Sequence, residues 1–314
     1  MSELLAWPGA VEADPPDSGV AAHYGLLAQE QRRLAAGEAF VDLSHRDVLT
    51  IAGPDRLTWL HALTSQDFES LVPGHPIEAL ILSPQGHIEF GFSCVDDGQT
   101  VTLHTEPGAG AGLASYLKGM KFMSRVEVAE RADLAVIGLA NLHTRVIERA
   151  ALGRAEAEWG EPSGVWAWEA FRIAAGIPRI GMDTDHRTIP NEVGLIGRAV
   201  HLDKGCYRGQ ETVARVHTLG RPPRRLVLLH LDGSADRLPA TGSALAVGDS
   251  PDAPVGFVGS SARHHELGPI ALALVKRGTD PDAELVVDGI AAAQEPVVDP
   301  DVGLHVRPVL GRRE

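Results

Sequence analysis

Between residues 22 and 38, Tyr24, Leu26, Leu27 and Leu34 recur against a Gln/Glu/Arg-rich face, which predicts an amphipathic helix closed by Gly37. The stretch before it, 12–20 (EADPPDSGV), is acidic and proline-rich and reads as a mobile lead-in. Residues 39–53 read as strand material. Gly53-Pro54-Asp55 then opens a second helix, with Leu57, Leu60 and Leu63 at three-residue spacing. Strands are expected at 79–82 and 88–95 around the turn Ser83-Pro84-Gln85-Gly86, and at 101–104. Period-two alternation places Phe90, Phe92 and Cys94 on one face, so Cys94 reads as a packing residue. Residues 111–118 predict a helix, 122–128 and 133–139 two strands, and 148–164 a polar, Ala-rich peripheral stretch. A short helix over 169–175 leads into Gly176-Ile177-Pro178-Arg179.

Past Arg221-Pro222-Pro223 the texture changes. Apolar runs at 226–231, 245–247, 255–259, 270–275 and 285–287 alternate with Gly, Pro and Asp turns, the rhythm of a small all-β barrel or sandwich. Arg263-His264-His265 falls between two of these runs and reads as a surface turn. The chain's 34 Gly and 21 Pro argue against a purely helical bundle and for many turns and short strands, and 314 residues suffice for two or three domains. A net charge of -14 disfavours non-specific binding of nucleic acid or an anionic membrane. Lys118, Lys121 and Arg125 form a basic cluster within this acidic chain, read as a solvated helix end or as an electropositive rim. Two cysteines, Cys94 and Cys206, give no disulfide framework and suit a reducing cytosol; no ligand spacing supports a metal site. The start of the chain lacks the features of a secretory signal, and no apolar run approaches the roughly 18 residues of a membrane helix. A monomeric cytoplasmic protein is expected.

The chemistry concentrates in residues 203–217. Lys204 and Arg208 flank Cys206 two residues away on either side, and cations near a thiol favour the reactive thiolate. Gly205 and Gly209 permit a tight loop exposing that thiol, and 211–216 alternates like a strand. The string Lys204-Gly205-Cys206-Tyr207-Arg208-Gly209-Gln210-Glu211 resembles the K-G-C-Y-x-G-Q-E signature of the YgfZ family, folate-binding relatives of the glycine-cleavage T-protein, an aminomethyltransferase. The segments 40–44, 51–67, 84–90 and 176–195 resemble further parts of the T-protein family.

That resemblance implies a T-protein-like cloverleaf: two related α+β domains and a C-terminal β-barrel around a central channel. The domains would comprise 1–47 with 134–221, 48–133, and 222–314. It implies tetrahydrofolate or a one-carbon derivative as cofactor. Glu192 occupies the position of a folate-contacting glutamate. Glu89, Tyr207, Arg208 and Gln210 join the binding set, and Cys206 with Lys204 carries the chemistry. The T-protein has paired aspartates just after the glycine turn, where this chain reads Gly86-His87-Ile88-Glu89-Phe90, and an acidic residue and an arginine where it has Cys206 and Gln210. Loss of positioned acid–base groups argues against glycine cleavage. The implied role is a folate-binding accessory protein for iron–sulfur cluster assembly or repair, including enzymes that modify tRNA. Its partners would be iron–sulfur client enzymes or assembly factors. Two alternatives stay open: a folate-dependent one-carbon transferase or demethylase using Glu89, and a non-catalytic client-binding scaffold. Whether the protein is an enzyme is left undecided.

Overall fold

A computed structural model describes residues 1–248 and 253–305. The lead-in forms a small hairpin of β1 (Val11–Glu12) and β2 (Ala21–His23). Helix α1 (Leu27–Ala36) ends where Gly37 takes the left-handed conformation, and β3 (Ala39–Asp42) follows. The chain then builds a second unit: β4 (Asp47–Ala52), α2 (Arg56–Leu63), β5 (Ile77–Leu82), β6 (Ile88–Asp96), β7 (Thr100–Thr105), α3 (Gly110–Gly119) and β8 (Glu127–Glu130). These strands form one sheet in the order β5-β6-β7-β4-β8, and its core includes Trp59, Phe68, Phe92, Cys94 and Leu113.

The chain returns through β9 (Leu134–Gly138), β10 (Thr144–Glu148), α4 (Glu156–Trp159), β11 (Glu161–Ser163) and α5 (Val165–Ala174). β10, β9, β3 and β11 make a four-stranded sheet, with β11 parallel to β3 and α5 packed across it. After a long ordered loop comes α6 (Gln210–Leu219). β12 (Arg224–Leu231), β13 (Ala244–Val247), β14 (Gly256–His264), β15 (Gly268–Lys276), β16 (Leu285–Val287) and β17 (Ile290–Pro296) close a barrel in the order β12-β15-β14-β13-β16-β17. The fold is thus mixed α and β with a six-stranded C-terminal barrel, closed by a strand, β17, that the apolar runs did not announce. No helix among the described residues is long and apolar enough to cross a membrane.

Four local expectations differ from the structure. Residues 211–216 are helical, because Val213 is fully buried one helical turn from Gln210 rather than on an alternating face. The stretch 148–164 is not peripheral: Leu152 and Ala155 are buried with Leu4, Phe40 and Trp159. His264 ends β14 and His265 begins the turn to β15, but their rings pack inward rather than lying on the surface. Phe171 of α5 stands edge-on to both rings, and Gln31 of α1 bonds the His265 backbone.

The acidic lead-in is anchored rather than mobile. Asp17 is buried and takes a bidentate pair from Arg179 (2.8 and 3.0 Å) and a contact from His45 (3.0 Å). The same Arg179 reaches Glu106 in the second unit and Glu169 on α5. Arg172 joins Glu169 to Asp183, and Asp183 accepts a 2.6 Å bond from Ser260 of the barrel. One buried ionic network therefore ties the lead-in, both sheets and the barrel together.

Candidate functional site

The Cys206 loop is built onto the turn that joins β5 to β6. Gly86 and Gly209 both have positive φ, +81° and +82°. A Cβ on Gly209 would come within 2.4 Å of the Ser83 carbonyl and 2.9 Å of the Gly86 Cα, so only glycine allows this approach. Gln210 opens α6 and accepts the Tyr207 backbone N–H through Oε1 at 2.8 Å, fixing the loop's exit. The Tyr207 ring is half-buried against the core that the barrel shares with α5, and burial raises its hydroxyl pKa to about 12.

Lys204 points inward. Its amine donates to the carbonyls of His61, Thr64 (2.7 Å) and Gln66 (3.1 Å) at the C-terminal end of α2, and lies 5.3 Å from the centre of the Tyr207 ring. Burial lowers its pKa to about 8, against the opposing pull of Asp67 and Glu69. Arg208 reaches across the turn to Glu89 (2.9 and 3.4 Å) and over the Tyr116 ring at 6.0 Å. Both flanking cations thus have partners other than the sulfur. The loop is braced at both shoulders, and Cys206 between them is exposed. Cys94 is buried, and burial with Asp96 nearby pushes its thiol well above the ordinary range.

The resemblance placed carboxylates after the glycine turn. A bulge between Ile81 and Leu82 sets Glu89 outward toward Arg208, while Phe90 packs beside Tyr116 of α3. Glu192, expected at folate, is 1% exposed in a single turn of 3-10 helix over 190–192. Its Oε1 takes the Arg224 Nε (2.8 Å), and its Oε2 takes the Arg224 Nη2 (2.9 Å) and the Ile189 backbone N–H (3.0 Å). With both oxygens so engaged, Glu192 is an internal brace to the first barrel strand. Asp185 shares the same guanidinium, and this hydrogen bonding holds its carboxyl well below the usual range.

A cavity of 480 Å³ lies elsewhere, between the two sheets and the loop segments 177–180 and 195–199. None of Glu89, Glu192, Lys204, Cys206, Tyr207, Arg208 or Gln210 lines it. Its wall carries Arg46, Arg179 and Arg198 with Glu78 and Glu106, and the aromatic rings of Phe92 and Trp168. Arg46 Nε and His104 Nδ1, on residues of this wall, have no hydrogen-bond partner. Burial drives the His104 pKa down to about 3, with the Arg46 charge adding to the effect. These residues come from seven separate stretches of the chain and carry no shared motif; Arg179 lies in the 176–195 segment and Phe92 on the strand face read from alternation. Lys118 pairs with Glu130 and Arg125 with Asp55, so two of the three cations in the basic cluster are locally balanced.

No family model matches the chain. An aminomethyltransferase of Moorella thermoacetica is 24% identical over 313 residues, covering 82% of this chain and 83% of that protein. The tRNA-modifying protein YgfZ of Buchnera aphidicola is 40% identical over 79 residues, 25% of this chain and 24% of that protein. A chloroplast protein of Arabidopsis thaliana described as a transferase is 24% identical over 251 residues, and the match spans only 58% of its length. The crystal structure of glycine cleavage system aminomethyltransferase T from Bartonella henselae superposes with a TM-score of 0.79 at 17% identity, over 96% of this chain and 97% of that one, which establishes the T-protein fold. The chain thus has the T-protein fold along nearly its whole length, with sequence likeness to an aminomethyltransferase over most of it and to YgfZ over a quarter of it.

Proposed function

We propose that this protein binds tetrahydrofolate in the 480 Å³ cavity and acts as an accessory protein, presenting Cys206 to a partner, and that it does not transfer aminomethyl groups. The observation that carries the reading is the braced exposure of Cys206 beside a glycine turn that supplies no carboxylate to the cavity. A general acid or base must reach the reacting atoms. Glu89 is turned to Arg208, and Phe90 stands where a second carboxylate would be.

The cavity suits a folate. Phe92 and Trp168 offer flat apolar surface for a pterin or benzoyl ring, and Glu106 and Glu78 offer acceptors for its amine edge. Arg198 is partly exposed and paired with Glu78, and a ligand's glutamate carboxylate would compete with Glu78 for its guanidinium. The unpartnered Arg46 Nε and His104 Nδ1 leave polar capacity on the same wall. Likeness to YgfZ supports a role beside tRNA-modifying chemistry, and we extend it to iron–sulfur client enzymes in the cytoplasm.

The test is anaerobic calorimetric titration of the reduced protein with tetrahydrofolate. Saturable one-to-one binding is expected, weakened by about tenfold in Arg198→Ala and unchanged in Cys206→Ser. Absence of saturation at millimolar folate would remove the ligand and leave a client-binding scaffold. Turnover of an aminomethyl donor that survives Cys206→Ala but is lost in Glu89→Gln would establish the transferase instead.

A further inference from the structure

Across the buried ionic network from the first cavity lies a second, of 340 Å³. Its walls come from residues 13–17 of the lead-in, from α1, from the start of α5 and from the barrel around β14. The network between the two cavities is unevenly divided: Arg172, Arg179 and Glu106 line the first cavity, whereas the carboxylates Asp17 and Glu169 line the second.

Two further carboxylates add to that wall. Glu30 is 1% exposed and is held by the backbone N–H groups of Tyr24, Leu26 and Gly164, none of which carries a charge. Its negative charge is therefore solvated by dipoles and left uncancelled by a cation. Asp14 is exposed. Against these stands a single lining cation, Arg263, which is already paired with Asp236 at 3.3 Å. Gln31, Thr241, Ser260 and Ser261 are the uncharged polar residues of the lining, and the remainder is apolar. Trp166 is 48% exposed, with its ring 5.0 Å from that of His23, and Leu27, Pro16 and Met182 extend the apolar part. Among the described residues no group of three His, Cys, Asp or Glu side chains is placed to hold a metal ion, so a bare cation does not fit these walls.

A pocket with an aromatic face, an apolar floor and excess negative charge selects a particular chemistry. An organic ammonium buries its carbon body against the apolar wall and sets its charge over the indole and near the carboxylates. Asp17 and Glu169 are held by Arg179 and Arg172, so an anion of the same shape meets chiefly the uncompensated Glu30 and Asp14. We infer that this second cavity is a binding site for a small primary amine with a flat or apolar body, separate from the cavity assigned to folate.

Three probes of nearly equal shape test this: phenethylamine, 2-phenylethanol and phenylacetate, each titrated calorimetrically into the full-length protein at neutral pH. Phenethylamine is expected to bind saturably at one site per chain. The alcohol should bind at least about tenfold more weakly, and the acid without saturation. Trp166→Ala and Asp14→Asn alter exposed side chains, and each is expected to weaken phenethylamine about fivefold or more while tetrahydrofolate binding stays unchanged. Equal binding of amine and alcohol would make the cavity a plain apolar void. No saturation by phenethylamine at about 10 mM, or binding untouched by both substitutions, would likewise overturn the assignment.

Discussion

Single side chains here are sorted by burial before they are sorted by chemistry. Cys94 is 3% exposed within β6 and its thiol is pushed above the ordinary range, whereas Cys206 sits in the open on a braced loop. Since the thiolate is the nucleophile, native protein should consume one equivalent of iodoacetamide quickly and a second only after unfolding. Cys206→Ser should abolish the fast phase; two fast thiols would show that the β6 core opens readily. His104 illustrates the same sorting for a base. It is 5% exposed, with Nε2 on Thr144 Oγ1 at 2.9 Å, and its pKa falls from 6.5 to about 3. The unfolded chain takes up a proton near pH 6.5 that the folded chain refuses until about pH 3. Stability from this group is thus complete above pH 6.5 and declines as pH falls toward 3, by at most about 1.4 kcal/mol per pH unit. His104→Leu should flatten the fall in melting temperature between pH 7 and pH 5. An unaltered slope would assign the acid sensitivity to other groups.

At the scale of elements, the Cys206 loop depends on how two glycines meet. Gly209 precedes α6 with φ +82°, and a methyl group there would overlap the Ser83 carbonyl as well as strain the backbone. Left-handed strain alone costs about 1–2 kcal/mol, so Gly209→Ala should destabilise the protein by at least about 2 kcal/mol. Thermal melting measures that loss, and iodoacetamide should then label Cys206 at a changed rate as the loop lifts from the turn. An unchanged rate would mean that Lys204 and Arg208 hold the loop without the glycine contact. Much of this element was legible beforehand, because the motif and the Ser83–Gly86 turn carry local signals, as Gly37 does at the end of α1. The helix α6 was not, because Glu211, Val213 and Arg215 satisfy a two-residue alternation as well as a helical one. Only the docking of Val213 against the 190–192 turn chooses between the two periods. The internal partners of Glu192 were hidden for a related reason. Its position in the chain resembles a ligand contact, but Arg224, thirty-two residues further on, claims both of its oxygens.

For the whole molecule, family resemblance conveyed the architecture, while residue patterning alone reached only an α+β body followed by a β-rich end. What neither conveyed is the network that joins the parts. Asp17, His45, Glu106, Glu169, Arg172, Arg179, Asp183 and Ser260 are scattered along the chain, and charged residues so spaced give no periodic signal to read. Arg179 is its hub, 6% exposed and bonded to the lead-in, to the second unit and to α5. Burial by itself would raise the Asp17 pKa, but hydrogen bonds from His45 and Arg179 more than offset this and hold it well below the usual range. Arg179→Met would remove the cation and leave Asp17, Glu106 and Glu169 to His45, Arg46 and Arg172. Breaking a buried pair from one side costs about 3–5 kcal/mol, because the remaining charge stays desolvated. The deserted carboxylates can escape that cost by taking up protons, so the penalty should shrink as pH is lowered from 7 to 5. In denaturant titrations at both pH values, a large loss at pH 7, a smaller one at pH 5, and faster proteolysis across residues 12–20 are expected together. A loss below about 1 kcal/mol with an intact lead-in would mean that apolar packing holds the domains together and that the ions merely fill the seam.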